Sequence, residues 1–440
     1  MIRTVAAVLF SLFVSLAAQA QIEWLSFDPA VIRTTRTTDI RLDVQLEANS
    51  GITSARLDYA AGGSLALTPA GSGRFTANVP ATRALADFNG DDVNRNFIGF
   101  LRFFNGSGTV ISSYNTFINV FDDATTPLVP VRTLPNNARA TSRILNLYRP
   151  LLNDLGVASA VQQFYTYFPD DFDFVQVVFT LPIYPDNRYH FAVKNTINGI
   201  GLSPTNNTAA YGSAGNLLGI TVYPIDTYFD CAESTFSHET GHQWIEFLDN
   251  ENMLPGPHWP PSSMASGVMG FNLPGSNVGG DFPYIVEPVG SNQARITQRT
   301  EAAEFGDFDL YLMGLLPPTS VRDGWVLTQL PTCTNCTVPA TRFTINDVIT
   351  RHGPRLPSSQ TSKKNFRVAT IVISRDRLLT DDELAVFEYF AKRGEAQTIV
   401  PYAQGLARGI TKPWYVATRG LSTVDLRLQK KVAKKRSVRR

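Results

Sequence analysis

Two histidines with a glutamate between them are the residues of this sequence whose types and spacing could do chemistry. His238 and His242 enclose Glu239 in the stretch Ser-His-Glu-Thr-Gly-His-Gln-Trp at 237–244, which contains an HExxH pattern. On a helix, positions i and i+4 lie one turn apart on one face, so two imidazoles at this spacing can bind a single cation. Zinc binds imidazole nitrogen readily. The pattern therefore predicts half of a zinc site.

Glu239 stands where a general base is needed. A catalytic zinc site uses three protein ligands and a water whose pKa the metal lowers toward about 7. Because Glu239 follows His238 directly, a helix displaces it around the axis, where it can reach this water instead of the metal. A structural zinc site does not require such a carboxylate. The residue types therefore favour a hydrolytic enzyme.

The flanking residues predict that this helix is largely buried. Phe236 precedes the pattern, and Trp244 and Ile245 follow it. Buried charge without partners is costly, and a metal would supply partners for the histidines. Gly241 weakens the helix by about 1 kcal/mol relative to alanine. We therefore expect Gly241 to leave room for another backbone, or for substrate, beside the site.

The pentapeptide HETGH resembles the active-site helix of the zincin metallopeptidases. The metzincin continuation does not follow, because Ile245 and Leu248 stand at the positions of its glycine and its third histidine. The spacing to Asp249 does not fit the zincins with an aspartate ligand either. The resemblance therefore points to a gluzincin-like or unclassified branch. It implies Zn²⁺ as the cofactor and a protein or peptide substrate.

Two further segments extend the resemblance. The combination of HETGHQW, the later pair His258-Trp259 and the segment Asp-Leu-Tyr-Leu-Met-Gly-Leu at 309–315 is similar to a group of secreted bacterial proteins. This wider similarity supports a peptidase but indicates no cleavage preference.

The third zinc ligand has two candidates. His258 follows the active-site helix by a proline-rich loop that is long enough to return to the metal. In gluzincins the third, acidic ligand comes from a downstream helix, which in this sequence points to Asp309. Each residue also has an alternative role without a metal. His258 could anchor a loop, and Asp309 could be a first-turn residue favoured by the helix dipole. The sequence leaves both candidates open.

The ends of the chain predict its destination. Residues 1–20 combine Arg3, an apolar run and a closing Ala-Gln-Ala, which is typical of a secretory signal peptide. The apolar run is shorter than the ~20 residues that span a bilayer. We therefore expect a secreted or periplasmic monomer with no membrane span.

The charge distribution argues against a nucleic-acid partner. The formal net charge is +1, yet the tail at 429–440 holds a cluster of Lys and Arg, so the body of the chain is acidic. Nucleic-acid binders present basic residues interleaved with aromatic ones, a pattern that the body lacks. The basic tail itself is typical of a solvated end.

Residues 21–125 predict an all-β domain. The segment 40–46 alternates apolar and polar residues, as a half-buried strand does. Further strands are predicted at 55–59, 74–79, 97–104, 109–114 and 117–121, with turn-forming clusters between them. This spacing predicts a β-sandwich of immunoglobulin type.

Residues 126–428 predict an α+β, zincin-like catalytic domain. A helix is expected at 141–155, strands at 172–181, 189–194 and 217–223, and then the HExxH helix. A second helix should begin after Thr380, whose spacing to Glu383 is that of a capping box. The pair Cys333 and Cys336 predicts a small disulfide loop.

The combined prediction is a multidomain, exported zinc metallopeptidase. Its rival is a non-catalytic exported binding or surface protein, in which the β-sandwich does the work and the zincin-like core is structural. The presence of Glu239 inside the histidine pair favours the enzyme.

Overall fold

The computed structural model describes thirteen stretches of the chain: residues 22–48, 50–86, 93–122, 126–150, 156–183, 188–229, 232–245, 247–248, 258–270, 284–298, 304–329, 335–399 and 412–429. The predicted signal peptide at 1–20 lies outside them, as does the basic tail beyond Gln429. Cys336 is disulfide-bonded, and the other two cysteines, Cys231 and Cys333, also lie outside the described residues.

The N-terminal part is built from strands and one short helix. These elements are β1 (Ile22–Asp28), β2 (Val31–Arg33), β3 (Ile40–Leu46), β4 (Ser54–Tyr59), β5 (Ser64–Ala66), β6 (Thr68–Gly71), β7 (Arg74–Val79), α1 (Ala81–Ala84), β8 (Val93–Phe104) and β9 (Val110–Phe121). One sheet has the order β1-β3-β7-β6 and the other the order β2-β9-β8-β4-β5. Both sheets contribute to one hydrophobic cluster, in which Leu42 and Val44 from β3 meet Leu57 and Leu101 from the other sheet. The alternation at 40–46 thus correctly predicted a strand that buries one apolar face.

One long strand replaces two predicted ones in this part. The segments 109–114 and 117–121 belong to the single strand β9, which pairs with β8 over its whole length. No glycine or proline separates the two segments, and the ladder continues through them with a register shift in β8 between Phe97 and Gly99. The expected break between them was therefore wrong.

The rest of the described chain mixes strands and helices. Its elements are β10 (Arg132–Leu134), β11 (Ala138–Ala140), β12 (Ile144–Tyr148), α2 (Val157–Tyr167), β13 (Phe174–Phe179), β14 (Tyr189–Ala192), β15 (Lys194–Asn195), β16 (Thr205–Asn206), β17 (Gly219–Pro224), α3 (Ile225–Phe229), α4 (Ala232–Gly241), β18 (Tyr284–Pro288), β19 (Gln293–Gln298), α5 (Asp307–Leu312), β20 (Gly324–Leu327), β21 (Cys336–Phe343), α6 (Ile345–His352), β22 (Asn365–Ser374), α7 (Asp381–Gly394), α8 (Trp414–Ala417) and β23 (Thr423–Asp425). Short 3₁₀ turns lie at Thr208–Tyr211 and Pro318–Ser320.

An eight-stranded mixed sheet organises this second part. Its order is β10-β11-β12-β22-β13-β17-β14, with β23 beside β22. The strands β12, β22, β13 and β17 run parallel, whereas β14 lies antiparallel at the edge beyond β17. A separate four-stranded sheet has the order β18-β19-β21-β20.

Both faces of the mixed sheet are covered. In β13, Val175 and Val177 face a cluster that includes Phe164 of α2, whereas Phe174 and Val178 face the larger cluster on the opposite side. That larger cluster includes apolar residues of α3, α4, α5, α7 and α8. Parallel strands buried on both faces are expected to be largely apolar, and β13 fits this rule at every position except the buried Gln176.

The helix predicted at 141–155 is wrong where the structure describes it. Residues 144–148 form β12, a strand between β11 and β22 with Ile144 and Leu145 facing opposite clusters. A short apolar run that is buried on both faces cannot be distinguished by its period from a buried helix. In contrast, the predicted capping box is confirmed, because the Thr380 hydroxyl accepts the Glu383 N–H at the start of α7.

The structure confirms the coarse expectation of a multidomain, β-rich chain with several sheets. Among the helices of the described residues, none is long and apolar enough to cross a membrane.

Candidate metal centre

Helix α4 presents the first histidine and the glutamate. It packs against β17 of the mixed sheet and against α3. It ends at Gly241, one residue before His242. The next residue makes a 3₁₀-type hydrogen bond, because the His242 N–H donates to the Glu239 carbonyl at 3.2 Å, from residue i to residue i−3. The ring centroids of His238 and His242 nevertheless lie 5.0 Å apart. The two imidazoles are therefore neighbours, as the spacing predicts, although the second lies just beyond the helix.

His258 joins this pair from a separate segment. Its ring centroid lies 4.8 Å from that of His238 and 5.1 Å from that of His242. One potential ligand atom from each of the three residues lies within 4.8 Å of the other two. His238 and His242 are buried and His258 is partly buried. The fold thus brings the imidazoles of His238, His242 and His258 close to one another.

A backbone carbonyl selects the tautomer of His238. Its Nδ1 lies 2.8 Å from the Val268 carbonyl oxygen, which can only accept a hydrogen bond, so Nδ1 carries the hydrogen. The other nitrogen, Nε2, then accepts a 2.9 Å hydrogen bond from Nε2 of His258, and a bound metal would take the place of this hydrogen. Metal-binding histidines commonly have a carbonyl at the remote nitrogen in this way.

The electrostatic surroundings favour neutral imidazoles. Burial lowers the pKa of His238 well below its ordinary value, and the nearby His242, His258 and Arg188 lower it further. Burial also lowers the pKa of His258 to about 4, with contributions from His242 and Arg188. Histidine binds metal in its neutral form, so both residues are in the state that a cation requires.

Glu239 is buried beside the histidines and is held by a cation. The Nε of Arg188 donates to its Oε1 at 2.8 Å. Arg188 stands immediately before the edge strand β14, 51 positions from Glu239. Tyr223, at the end of β17, lies close enough that the Glu239 charge adds to burial in raising the pKa of its hydroxyl. Sequence reasoning missed Arg188 and Tyr223, since neither belongs to a local pattern with the HExxH motif.

A series of hydrogen bonds holds Gln243, the residue after His242, in place. The Gln243 Oε1 lies 3.1 Å from His190 Nε2, and His190 Nδ1 lies 2.9 Å from the Thr221 hydroxyl. Since an amide oxygen only accepts, Nε2 carries the hydrogen and Nδ1 accepts from Thr221. The Gln243 amide also donates to the Lys194 carbonyl at 3.1 Å. The end of the motif is thereby tied to the edge of the mixed sheet.

Asp309 lies outside the group of histidines. Its carboxylate is fully buried, and its Oδ1 accepts the Trp259 indole N–H at 2.6 Å while its Oδ2 accepts the Gly306 N–H at 2.8 Å. Burial raises the pKa of Asp309 to about 7, against the lowering effect of these two donors. Of the two candidates for the third ligand, the fold brings His258 to the pair and ties Asp309 to the neighbour of His258.

Protein side chains fill the space beside Gly241. A Cβ added there would lie 2.5 Å from Met269 Sδ and 3.2 Å from a ring carbon of Phe305. The neighbours of Gly241 are therefore side chains, and not the second backbone that the sequence predicts.

The donor set suits zinc. Three imidazoles are a ligand set that zinc accepts, and the hydrogen bond from His238 to Val268 is the outer contact that such a site uses. Comparison of the chain with protein-family models, with curated proteins and with solved structures gave no match.

Proposed function

We propose that this chain is an exported zinc-dependent metallopeptidase with Glu239 as the general base. The observation that carries the proposal is the convergence of His238, His242 and His258, with ligand atoms within 4.8 Å of one another, beside the buried Glu239. Bound zinc would supply Lewis acidity toward a peptide carbonyl and lower the pKa of a water. These are the requirements for hydrolysing a peptide bond.

The chain's own residues divide the remaining work. The Val268 carbonyl orients the His238 ring so that Nε2 is available for zinc. Glu239 would take a proton from water at Oε2, since Oε1 accepts from Arg188, and would pass it to the leaving amine. The surrounding residues leave the Glu239 side chain 6% exposed. This burial limits access of bulk water to the carboxylate.

The domain assignment is part of the same proposal. We assign an immunoglobulin-like sandwich to residues 21–125 and a zincin-like α+β catalytic domain to residues 126–428. Supporting the first is the pair of packed sheets formed by β1 to β9, which share one hydrophobic cluster. Supporting the second is the position of α4 on one face of the mixed sheet, next to its antiparallel edge strand.

One observation favours the non-catalytic rival. The ion pair between Arg188 and Glu239 engages the carboxylate that the hydrolytic mechanism needs. In a structural site this pair would only neutralise a buried charge. In an enzyme Oε2 must stay available to exchange protons with water.

Proteolysis of a mixed peptide library distinguishes the two functions. We expect zinc-loaded wild-type protein to cleave peptides, and Glu239→Gln to lower the rate by about 10² to 10⁴-fold while zinc remains near one per chain. Glu287→Gln, at an exposed position of β18, is the matched control and should keep full activity. Absence of cleavage by zinc-loaded wild type would support the rival. Loss of zinc together with activity in Glu239→Gln would assign Glu239 a structural role.

A further inference from the structure

Asp309 has two hydrogen-bond partners with different consequences. Its Oδ2 accepts the N–H of Gly306, the residue that precedes α5, and this contact serves the start of that helix. Its Oδ1 accepts the indole N–H of Trp259 at 2.6 Å, across 50 positions of sequence. The second contact is not needed for α5. It connects α5 to the residue directly after His258.

Trp259 is held firmly by its surroundings. Its side chain is 4% exposed, its ring lies edge-on to Phe308 with centroids 6.0 Å apart, and its backbone N–H donates to the Met269 carbonyl at 3.3 Å. Met269 follows Val268, whose carbonyl orients His238. The segment 268–269 therefore contacts both the first histidine and the neighbour of the third.

Gly267, the residue before this segment, also packs closely on the start of α5. A Cβ added to Gly267 would lie 2.8 Å from the Gly306 nitrogen and 3.1 Å from Asp309 Oδ2. Because the backbones approach this closely, the positions of Trp259, Val268 and Asp309 depend on one another. A buried carboxylate hydrogen-bonded to an indole at the centre of this contact is a directional restraint, unlike apolar packing.

We infer that Asp309 is a positioning residue of the metal centre, which acts through the Trp259 indole to hold His258 beside His238. This inference rests on the proposed metal site. It assigns to the Asp309–Trp259 hydrogen bond an effect on metal affinity beyond its effect on stability. Removing a hydrogen bond that holds a metal ligand in place typically weakens metal affinity by about 10 to 100-fold.

The test compares zinc affinity in Trp259→Phe and Trp414→Phe, measured by competition with a chelator, together with the melting temperature of each protein. Trp414 is also buried, and its indole donates to the Ser422 hydroxyl at 2.8 Å, so each substitution removes one buried indole bond. Trp414 is not adjacent to any of the three histidines in sequence. We expect Trp259→Phe to weaken zinc binding by about 10 to 100-fold, and Trp414→Phe to bind zinc like wild type.

Asp309→Ala tests the same bond from the acceptor side. We expect it to weaken zinc binding as much as Trp259→Phe does. The double variant should bind zinc no more weakly than Asp309→Ala, because both substitutions remove the same hydrogen bond. Asp309→Ala also serves if Trp259→Phe does not fold, since a wild-type zinc affinity in Asp309→Ala overturns the inference.

The remaining outcomes separate this inference from the proposed function. Wild-type zinc affinity in Trp259→Phe, or equal losses in Trp259→Phe and Trp414→Phe, overturns the positioning role and leaves the metal centre standing. Complete loss of zinc in Asp309→Ala with a mild effect in Trp259→Phe would make Asp309 a ligand. If wild type binds no zinc, the proposed function fails and the inference fails with it.

Discussion

The Nε of Arg188 donates a hydrogen bond to Oε1 of Glu239 at 2.8 Å, so an arginine at the edge of the mixed sheet neutralises the carboxylate inside the HExxH motif. The Glu239 side chain is 6% exposed and that of Arg188 is 25% exposed. A buried carboxylate that loses its cation is destabilised, because desolvation is no longer compensated. Stability of the metal-free protein should therefore depend on this pair.

A double-mutant cycle measures the pair. We expect Arg188→Met and Glu239→Gln to show a coupling free energy of about 1 to 3 kcal/mol in denaturant unfolding of metal-free protein. The value should fall below the ~3 to 5 kcal/mol cost of breaking a fully buried pair, since solvent screens the exposed part of Arg188. Additive single effects would show that the ion pair contributes nothing to stability.

Metal content tests the histidine group. Purified wild-type protein should hold about one zinc per chain, and His238→Ala, His242→Ala and His258→Ala should each abolish tight binding, because a zinc site uses at least three protein ligands. Elemental analysis after dialysis against a weak chelator is the measurement. His352→Ala, at the end of α6, is the control and should retain zinc. Equal zinc in wild type and in the three site variants would reject the metal centre.

Gly201 should be intolerant of a side chain. Its φ is +82°, and an added Cβ would overlap the Phe247 carbonyl oxygen just after the HExxH motif. Gly108 has a similar φ of +80° but no atom within 4 Å of such a Cβ. Gly108→Ala should cost about 1 to 2 kcal/mol from backbone strain alone, and Gly201→Ala about 1 to 3 kcal/mol more from overpacking. Equal losses in denaturant unfolding would mean that the Phe247 contact relaxes freely.

His190 should make the metal-free protein sensitive to acid. Burial lowers its pKa from 6.5 to about 3, against the raising effect of Gln243. A folded-state pKa below the unfolded value means that stability is present above pH 6.5 and is lost as the pH falls toward 3. The residue keeps some exposed surface, so we expect a slope below the limit of about 1.4 kcal/mol per pH unit for one proton. Unfolding curves between these pH values should show a smaller slope for His190→Gln than for wild type, and identical slopes would contradict the shift.

Local patterns predicted many of the elements of the fold. The strand at 40–46 and the capping box at Thr380 depend on residues within one element, so their spacing alone indicates the structure. The interpretation of 141–155 as a helix failed because β12 is apolar toward both faces of the sheet and lacks a period that identifies a strand.

The sequence by itself determined that His238, Glu239 and His242 lie together, since a spacing of four positions at a helical turn brings the two imidazoles to one side. Only the tertiary structure decided that His258, and not Asp309, lies with this pair, and that Arg188 and His190 reach the motif from the edge of the sheet. Those contacts join segments 20 to 53 positions apart. They depend on how strands, helices and loops pack, and the spacing of residues within any single element does not specify that packing.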